Sequence, residues 1–230
     1  KFMDQTPIDD LKSIQDLPED HPARLYCMNR KIPEKYFDKL FLSDKFMTLV
    51  NEVKPNTYKI TKDHPRLIIP FYDTTGKVFA FQGRAFGKEQ PKYLTIKLDE
   101  NKQKVYGLDK VSFQKPIYIT EGPIDSLFID NCLAAGGADL FLKNKIPNEN
   151  ITYILDNEPR NKEIVNRMYK VIEQDFNVVI WPEDLQLKDV NDMIMSGLTK
   201  LELQDIISNN TYSKLSALTK LNYWKKIKEV

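Results

Sequence analysis

The grammar that begins at Pro116 constrains this chain more than any other feature. Four short apolar runs, PIYITEG, CLAAGG, ITYILDNEP and NVVIWPED, follow one another along the sequence. Between and after them lie PIDSLFIDN, NKEIVNRMYKVIEQD and DVNDMIMSG, each of helical character. In NKEIVNRMYKVIEQD, the residues Ile164, Val165, Met168, Val171 and Ile172 recur on one helical stripe. Gly197 closes the last of these segments. Strands that alternate with helices imply a parallel sheet with right-handed crossovers.

Upstream of Pro116 the pattern differs. Residues 1–20 read as a polar lead-in. HPARLYCMNRKI to LVNEV reads as short helices broken at Ile32-Pro33. From 54 to 115, LIIPFYD, VFAFQGRAF and PKYLTIKL are β-rich runs, and TTGK between the first two is a hairpin turn. The expected fold class is therefore α/β, or α+β overall. A basic β-rich subdomain covers 1–115, a parallel-sheet α/β domain covers 116–200, and a helical segment covers 201–230. No internal repeat and no low-complexity segment is visible.

Composition excludes some classes. No run reaches the ~18 apolar residues of a membrane span. The opening KFMDQTPIDDLKS is polar and acidic rather than a signal peptide, so a cytoplasmic protein with no membrane partner is expected. Cys27 and Cys132 are the only cysteines and form no CxxC. They supply neither a disulfide framework nor a zinc site, and reduced thiols are the default reading. The net charge of +1 hides a strong asymmetry: residues 54–120 hold 13 bases and 6 acids, whereas 121–205 hold 8 bases and 16 acids. A basic block beside an acidic one fits a protein that grips a polyanion with one part and binds divalent cations with another. Ordinary variation in surface charge fits it as well.

The acids are not scattered. Glu121 follows IYIT, Asp156 and Glu158 follow ITYIL, and Asp189 lies beyond NVVIWPEDLQLK. In an open parallel sheet the carboxyl ends of the strands face the ligand crevice, so these carboxylates are expected to converge. Clustered carboxylates raise one another's pKa unless a cation compensates, and Mg2+ suits such hard oxygen ligands. Each acid also has a structural reading. Asp156 could cap a helix begun at Pro159, Asp125 in GPIDSL could sit in a first helical turn, and Asp189 could start the DVNDMI helix. Three acidic strand ends in succession favour the metal.

EGPIDSL, LDNEPR and KDVNDMI, in that order and on those elements, resemble a TOPRIM domain, the metal-binding domain of bacterial-type primases, topoisomerases and some nucleases. RLIIPFYDTTGKVFAFQGRAF, PKYLTI and VYGLD resemble the basic half of DnaG-type primase cores, in particular those of T-even-type bacteriophages. The resemblance covers residues 18–200, and the ordered set of motifs is far more specific than any one of them. It implies that Glu121 is a metal ligand or general acid/base, and that Asp156 and Glu158 are the Asp-x-Asp pair with Glu in the second place. Asp189 and Asn191 correspond to a downstream acidic pair in which Asn191 has lost its charge, with Asp192 one residue away. Asp125 matches a further acid of the family. Arg84, Lys92 and, more weakly, Arg66 match positions used for template or incoming nucleotide, and Lys102 and Lys104 lie where another basic residue is carried.

The function implied by the resemblance is that of a DNA primase catalytic core. Such an enzyme is a DNA-directed RNA polymerase that makes short RNA primers on single-stranded DNA by metal-dependent nucleotidyl transfer. Mg2+ or Mn2+ is the implied cofactor, with no zinc in this chain. The implied partners are single-stranded DNA, ribonucleoside triphosphates and a hexameric replicative helicase, in the host cytoplasm if the protein is phage-encoded. A zinc-binding domain is expected upstream, since the chain starts at Lys1 and has no cysteine cluster of its own. Tyr93, Phe81 or Phe86 could stack on bases, although Phe79 and Phe81 alternate as core residues do. The basic tail with Lys214, Lys220, Lys225, Lys226 and Lys228 reads as a helicase contact, a DNA contact or a solvated helix. A TOPRIM nuclease would use the same acids without the FQGRA and PKYL half. A non-catalytic TOPRIM scaffold would be expected to lose Glu121 or Asp156.

Overall fold

A computed structural model describes residues 6–135 and 146–226, and the chain divides into two units, Lys1–Asp109 and Lys110–Val230. In the first, Lys12–Ser13 (β1), Phe41–Ser43 (β2), Arg66–Tyr72 (β3), Val78–Ala85 (β4) and Tyr93–Lys97 (β5) form one antiparallel sheet in that order. Two helices accompany it, Pro22–Asn29 (α1) and Phe46–Val53 (α2), with a 3-10 turn at Glu34–Lys39. The expected short helices are present. The strand β2 between them was not expected, because three residues are too few to show a period of two.

The TTGK turn joins β3 to β4 as the sequence predicts. Asp73 closes it: its Oδ1 accepts from Thr75 N at 2.9 Å and from Lys77 N at 3.0 Å. Gly76 takes φ +81°, which a side chain would resist. The core beneath the sheet gathers Ile8, Phe46, Leu49, Val50, Ile68, Phe81 and Ile96. Phe46 lies so close to β4 that a Cβ on Gly83 would stand 2.1 Å from its Cε2 atom. The glycine of FQGRA is therefore a packing requirement. Asp63 holds the start of α2 from outside the helix, accepting from Met47 N at 2.8 Å and Thr48 N at 2.9 Å.

The second unit carries Ile117–Thr120 (β6), Pro123–Ser126 (α3), Cys132–Ala134 (β7), Ile151–Ile154 (β8), Lys162–Glu173 (α4) and Asn177–Val179 (β9). Val190–Met195 (α5), Lys200–Asn209 (α6), Thr211–Tyr212 (β10) and Lys214–Trp224 (α7) complete it. The sheet order is β10-β9-β8-β6-β7, with β7, β6, β8 and β9 parallel and β10 antiparallel at one edge. The parallel sheet predicted from the strand–helix alternation is present. The stripe on α4 is buried at Ile164, Val165, Met168, Val171 and Ile172, each worth roughly 1.5–3 kcal/mol of transfer free energy. Asn161 caps α4, accepting from Glu163 N at 3.0 Å.

Two details differ from expectation. The tail is not continuously helical: Thr211–Tyr212 adds a short strand between α6 and α7. Pro159 does not open α4, which starts three residues later, so Asp156 caps no helix. The glycine pair Gly136-Gly137 and the tail residue Lys228 lie outside the described residues. Among the described residues, no helix is long and apolar enough to cross a membrane.

Candidate active site

β6 is the first strand of the parallel sheet and has β7 on one side and β8 on the other. The chain order thus reverses between β6 and β8, which makes their carboxyl ends the crevice where ligands of such sheets bind. Thr120 pairs with Ile154 at this end of the ladder. Glu121 is the next residue on one strand, and Asp156 follows two residues beyond the other. The two meet: Asp156 N donates to Glu121 Oε2 at 3.1 Å. The other carboxylate oxygen of Glu121 accepts from Arg167 of α4, a residue that sequence reading missed.

The turn that carries Asp156 and Glu158 is fixed by its middle residue. Asn157 N donates to the carbonyl of Lys188 at 2.6 Å, and its amide donates to the carbonyls of Leu185 at 2.7 Å and Leu187 at 3.0 Å. Just before the turn, Trp181 Nε1 donates to Leu155 O at 2.8 Å. These bonds clamp the loop 181–188 against the acid turn and deliver Lys188 to it. Lys188 Nζ stands 3.2 Å from Glu158 Oε2 and 3.8 Å from Asp156 Oδ2.

Asp189 and Asp125 carry part of the scaffold. Asp189 caps α5, accepting from Asp192 N at 2.8 Å. Asp125, in α3, accepts from Asn191 N at 2.9 Å and so ties α3 to the start of α5. Asn191 is only 2% exposed, and a carboxylate in its place would carry a heavy desolvation cost. The structural readings of Asp125 and Asp189 therefore hold, yet Asp189 still acts on the cluster. Burial first, then the charge of Asp189, and then those of Glu158 and Asp192 push the Asp156 carboxyl up to about 6, against the pull of Lys188. Lys188 is raised as well: burial would lower it, but its bond to Glu158 and the charges of Glu158, Asp156 and Asp189 outweigh that.

Among the described residues, no group of three or more His, Cys, Asp or Glu side chains stands ready to hold one metal ion. The donor set nevertheless suits Mg2+, which needs one or two carboxylates and takes its remaining ligands from water and substrate phosphate. Asp156 is raised first by burial and then by the charges of Asp189, Glu158 and Asp192, and a bound cation would offset those charges. Cys27 and Cys132 are buried and pushed up to about 12 by that burial, which makes them inert thiols.

In the first unit the basic residues fall into three settings. Arg66 is fully buried. Its guanidinium donates to His64 Nε2 at 2.9 Å, Gly83 O at 3.0 Å and Pro91 O at 2.9 Å, and lies over the Phe46 ring at 5.1 Å. The expected contact of Arg66 with nucleotide or template is corrected on this ground: the side chain has no exposed surface to offer and instead closes the loop between β4 and β5. Arg84 is 2% exposed and donates to the hydroxyls of Tyr26 and Tyr93, stacked over the Tyr93 ring at 4.5 Å. Tyr93 and Lys92 are exposed beside it, with Lys92 Nζ 5.6 Å from the Tyr93 ring. Tyr26, on α1, is the partner that sequence reading missed. Phe79 and Phe81 are core residues, and Phe86 packs edge-on against Tyr26 at 5.1 Å. Lys102 pairs with Asp73 and holds that carboxyl far below its usual range, while Lys104 is exposed.

No family model matches the chain. It is 38% identical over 217 residues to the DNA primase of Enterobacteria phage T4, an alignment that covers 93% of this chain and 63% of that protein. The chain thus spans a little under two thirds of that relative's length. Its fold is similar to the zinc-binding and RNA polymerase domains of the Aquifex aeolicus primase, with TM-score 0.65, 20% identity, and coverage of 90% of this chain and 60% of that one. It is also similar to a DnaG primase catalytic domain bound to ssDNA, with TM-score 0.63, 16% identity, and coverage of 88% and 77%.

Proposed function

We propose, for a chain that belongs with the DNA primases by sequence and with the DnaG catalytic cores by fold, that it synthesises RNA primers on single-stranded DNA. The reaction is nucleotidyl transfer. A ribonucleotide 3′-hydroxyl attacks the α-phosphate of an incoming ribonucleoside triphosphate, a new P–O bond forms, and the bond to pyrophosphate breaks. The observation that carries this reading is the meeting of Glu121 and Asp156 at adjoining ends of β6 and β8, with Glu158 two residues on. Asp156 and Glu158, with Glu121 and Asp189 beside them, are the residues that would hold Mg2+ or Mn2+, which when bound neutralises phosphate charge and lowers the hydroxyl pKa.

The chain's own residues do the positioning. Arg167 and the Asp156 amide fix both oxygens of Glu121. Asn157 fixes the loop that bears Lys188 and Asp189. The bond from Asn191 N to Asp125 keeps α5, and with it Asp189, in register with α3. In the first unit, Lys92 and Lys104 offer exposed charge for template phosphates, and Tyr93, held by Arg84, offers a ring for a base. Ribonucleoside triphosphates, a replicative hexameric helicase, an upstream zinc-binding domain and a cytoplasmic setting belong to this proposal.

The test is primer synthesis on single-stranded DNA with Mg2+ or Mn2+, comparing the chain with Glu121→Gln and Asp156→Asn. Each substitution should cost about 100-fold or more. Full activity in both variants overturns the assignment of the acids. Cleavage of the labelled strand in place of extension replaces this reading with that of a nuclease.

A further inference from the structure

Among the described residues, two cations of different kinds pair with the acid cluster. Arg167 issues from α4, its side chain is 27% exposed, and it meets a carboxylate whose second oxygen is already engaged by a backbone amide. Lys188 is built otherwise. Its backbone is anchored, because its carbonyl accepts from Asn157 N at 2.6 Å. Its side chain is 53% exposed and spans the pair of carboxylates at 3.2 and 3.8 Å. Glu158 makes the shorter of the two contacts.

We infer that Lys188 is a tethered counter-ion that occupies Asp156 and Glu158 until a divalent cation displaces it, and that it thereby weakens the metal affinity of the site. The inference rests on the proposed metal reading of these acids. Its physical basis is the asymmetry between anchor and tip. An exposed lysine–carboxylate pair is weak, since water competes for both ends and the long stem loses rotamer freedom. A divalent ion brings twice the charge to the same oxygens, so it displaces the ammonium group. The tether keeps that group close enough to compete and to repel the incoming ion. A lysine that served only to hold the carboxylates in place would act in the opposite sense, and its removal would weaken metal binding.

The experiment titrates Mn2+ into the whole chain, reading free Mn2+ by electron paramagnetic resonance and heat by calorimetry. Lys188→Met and Lys188→Gln should each bind Mn2+ about fivefold more tightly than the parent chain, and Lys188→Arg should stay within about twofold of it. Melting curves establish that each variant is folded, and either neutral variant suffices if the other is not. Equal or weaker Mn2+ binding in a folded neutral variant overturns the inference while leaving the metal site standing. If the parent chain takes up no Mn2+, the metal reading falls and the inference falls with it.

Discussion

Asp156→Asn should make the chain, kept free of divalent cations, more stable at pH 8 and leave it little changed near pH 4. The folded state raises the Asp156 carboxyl from 3.8 to about 6, through burial and the charges of Asp189, Glu158 and Asp192. A group raised on folding contributes stability below its unfolded value and loses it as pH rises through its folded value. Between those limits the parent chain therefore loses about 2–3 kcal/mol, at about 1.36 kcal/mol per pH unit, a figure that already nets the attraction of Lys188 against the repulsion. Asparagine has the same shape and no charge to lose, so the variant should gain that amount above pH 6. The assay is urea unfolding followed by tryptophan fluorescence at pH 4 to 8, in chelator. Trp181 reports well, since its indole nitrogen donates to Leu155 O next to the substituted residue. Adding Mg2+ or Mn2+ should then stabilise the parent chain and not the variant, because a ligand raises stability only where it binds the folded state. A variant less stable than its parent at pH 8, or a gain that is the same at pH 4, would refute the account of Asp156.

Two further outcomes follow from the first unit. Gly83→Ala should destabilise the chain by about 1–3 kcal/mol or more in thermal melts, because the new Cβ meets the Phe46 ring at 2.1 Å and that ring also supports Arg66. Lys92→Gln should weaken binding to single-stranded DNA and reduce the slope of log K against log salt by about 0.7, as expected for one lost phosphate contact; an unchanged slope would remove Lys92 from the template path.

Much of the candidate site is legible because it sits on regular elements. The apolar runs before Glu121 and Asp156 read as strands, and the end of a parallel strand is a predictable place for a ligand group. Asp189 reads as a third acidic strand end, but β9 stops at Val179 and Asp189 lies at the N-terminus of α5. The partners were not legible. Arg167 is 46 residues from Glu121, and nothing local distinguishes it from any other charge on the polar side of a helix. Arg66 shows the converse failure. A basic residue in a basic segment reads as a phosphate contact, yet its burial depends on carbonyls supplied by residues 17 and 25 positions away.

By itself the sequence determined the strand–helix alternation, the hairpin at TTGK and which carboxylates stand at strand ends, because period and turn chemistry are local properties of the chain. Only the tertiary structure decided that β6 and β8 are neighbours, that Asn157 clamps the loop 181–188, and that one cation is locked on Glu121 while another hangs loosely over Asp156 and Glu158. Those are questions of distance and solvent access. Both are settled by which elements pack together, and no residue carries that information alone.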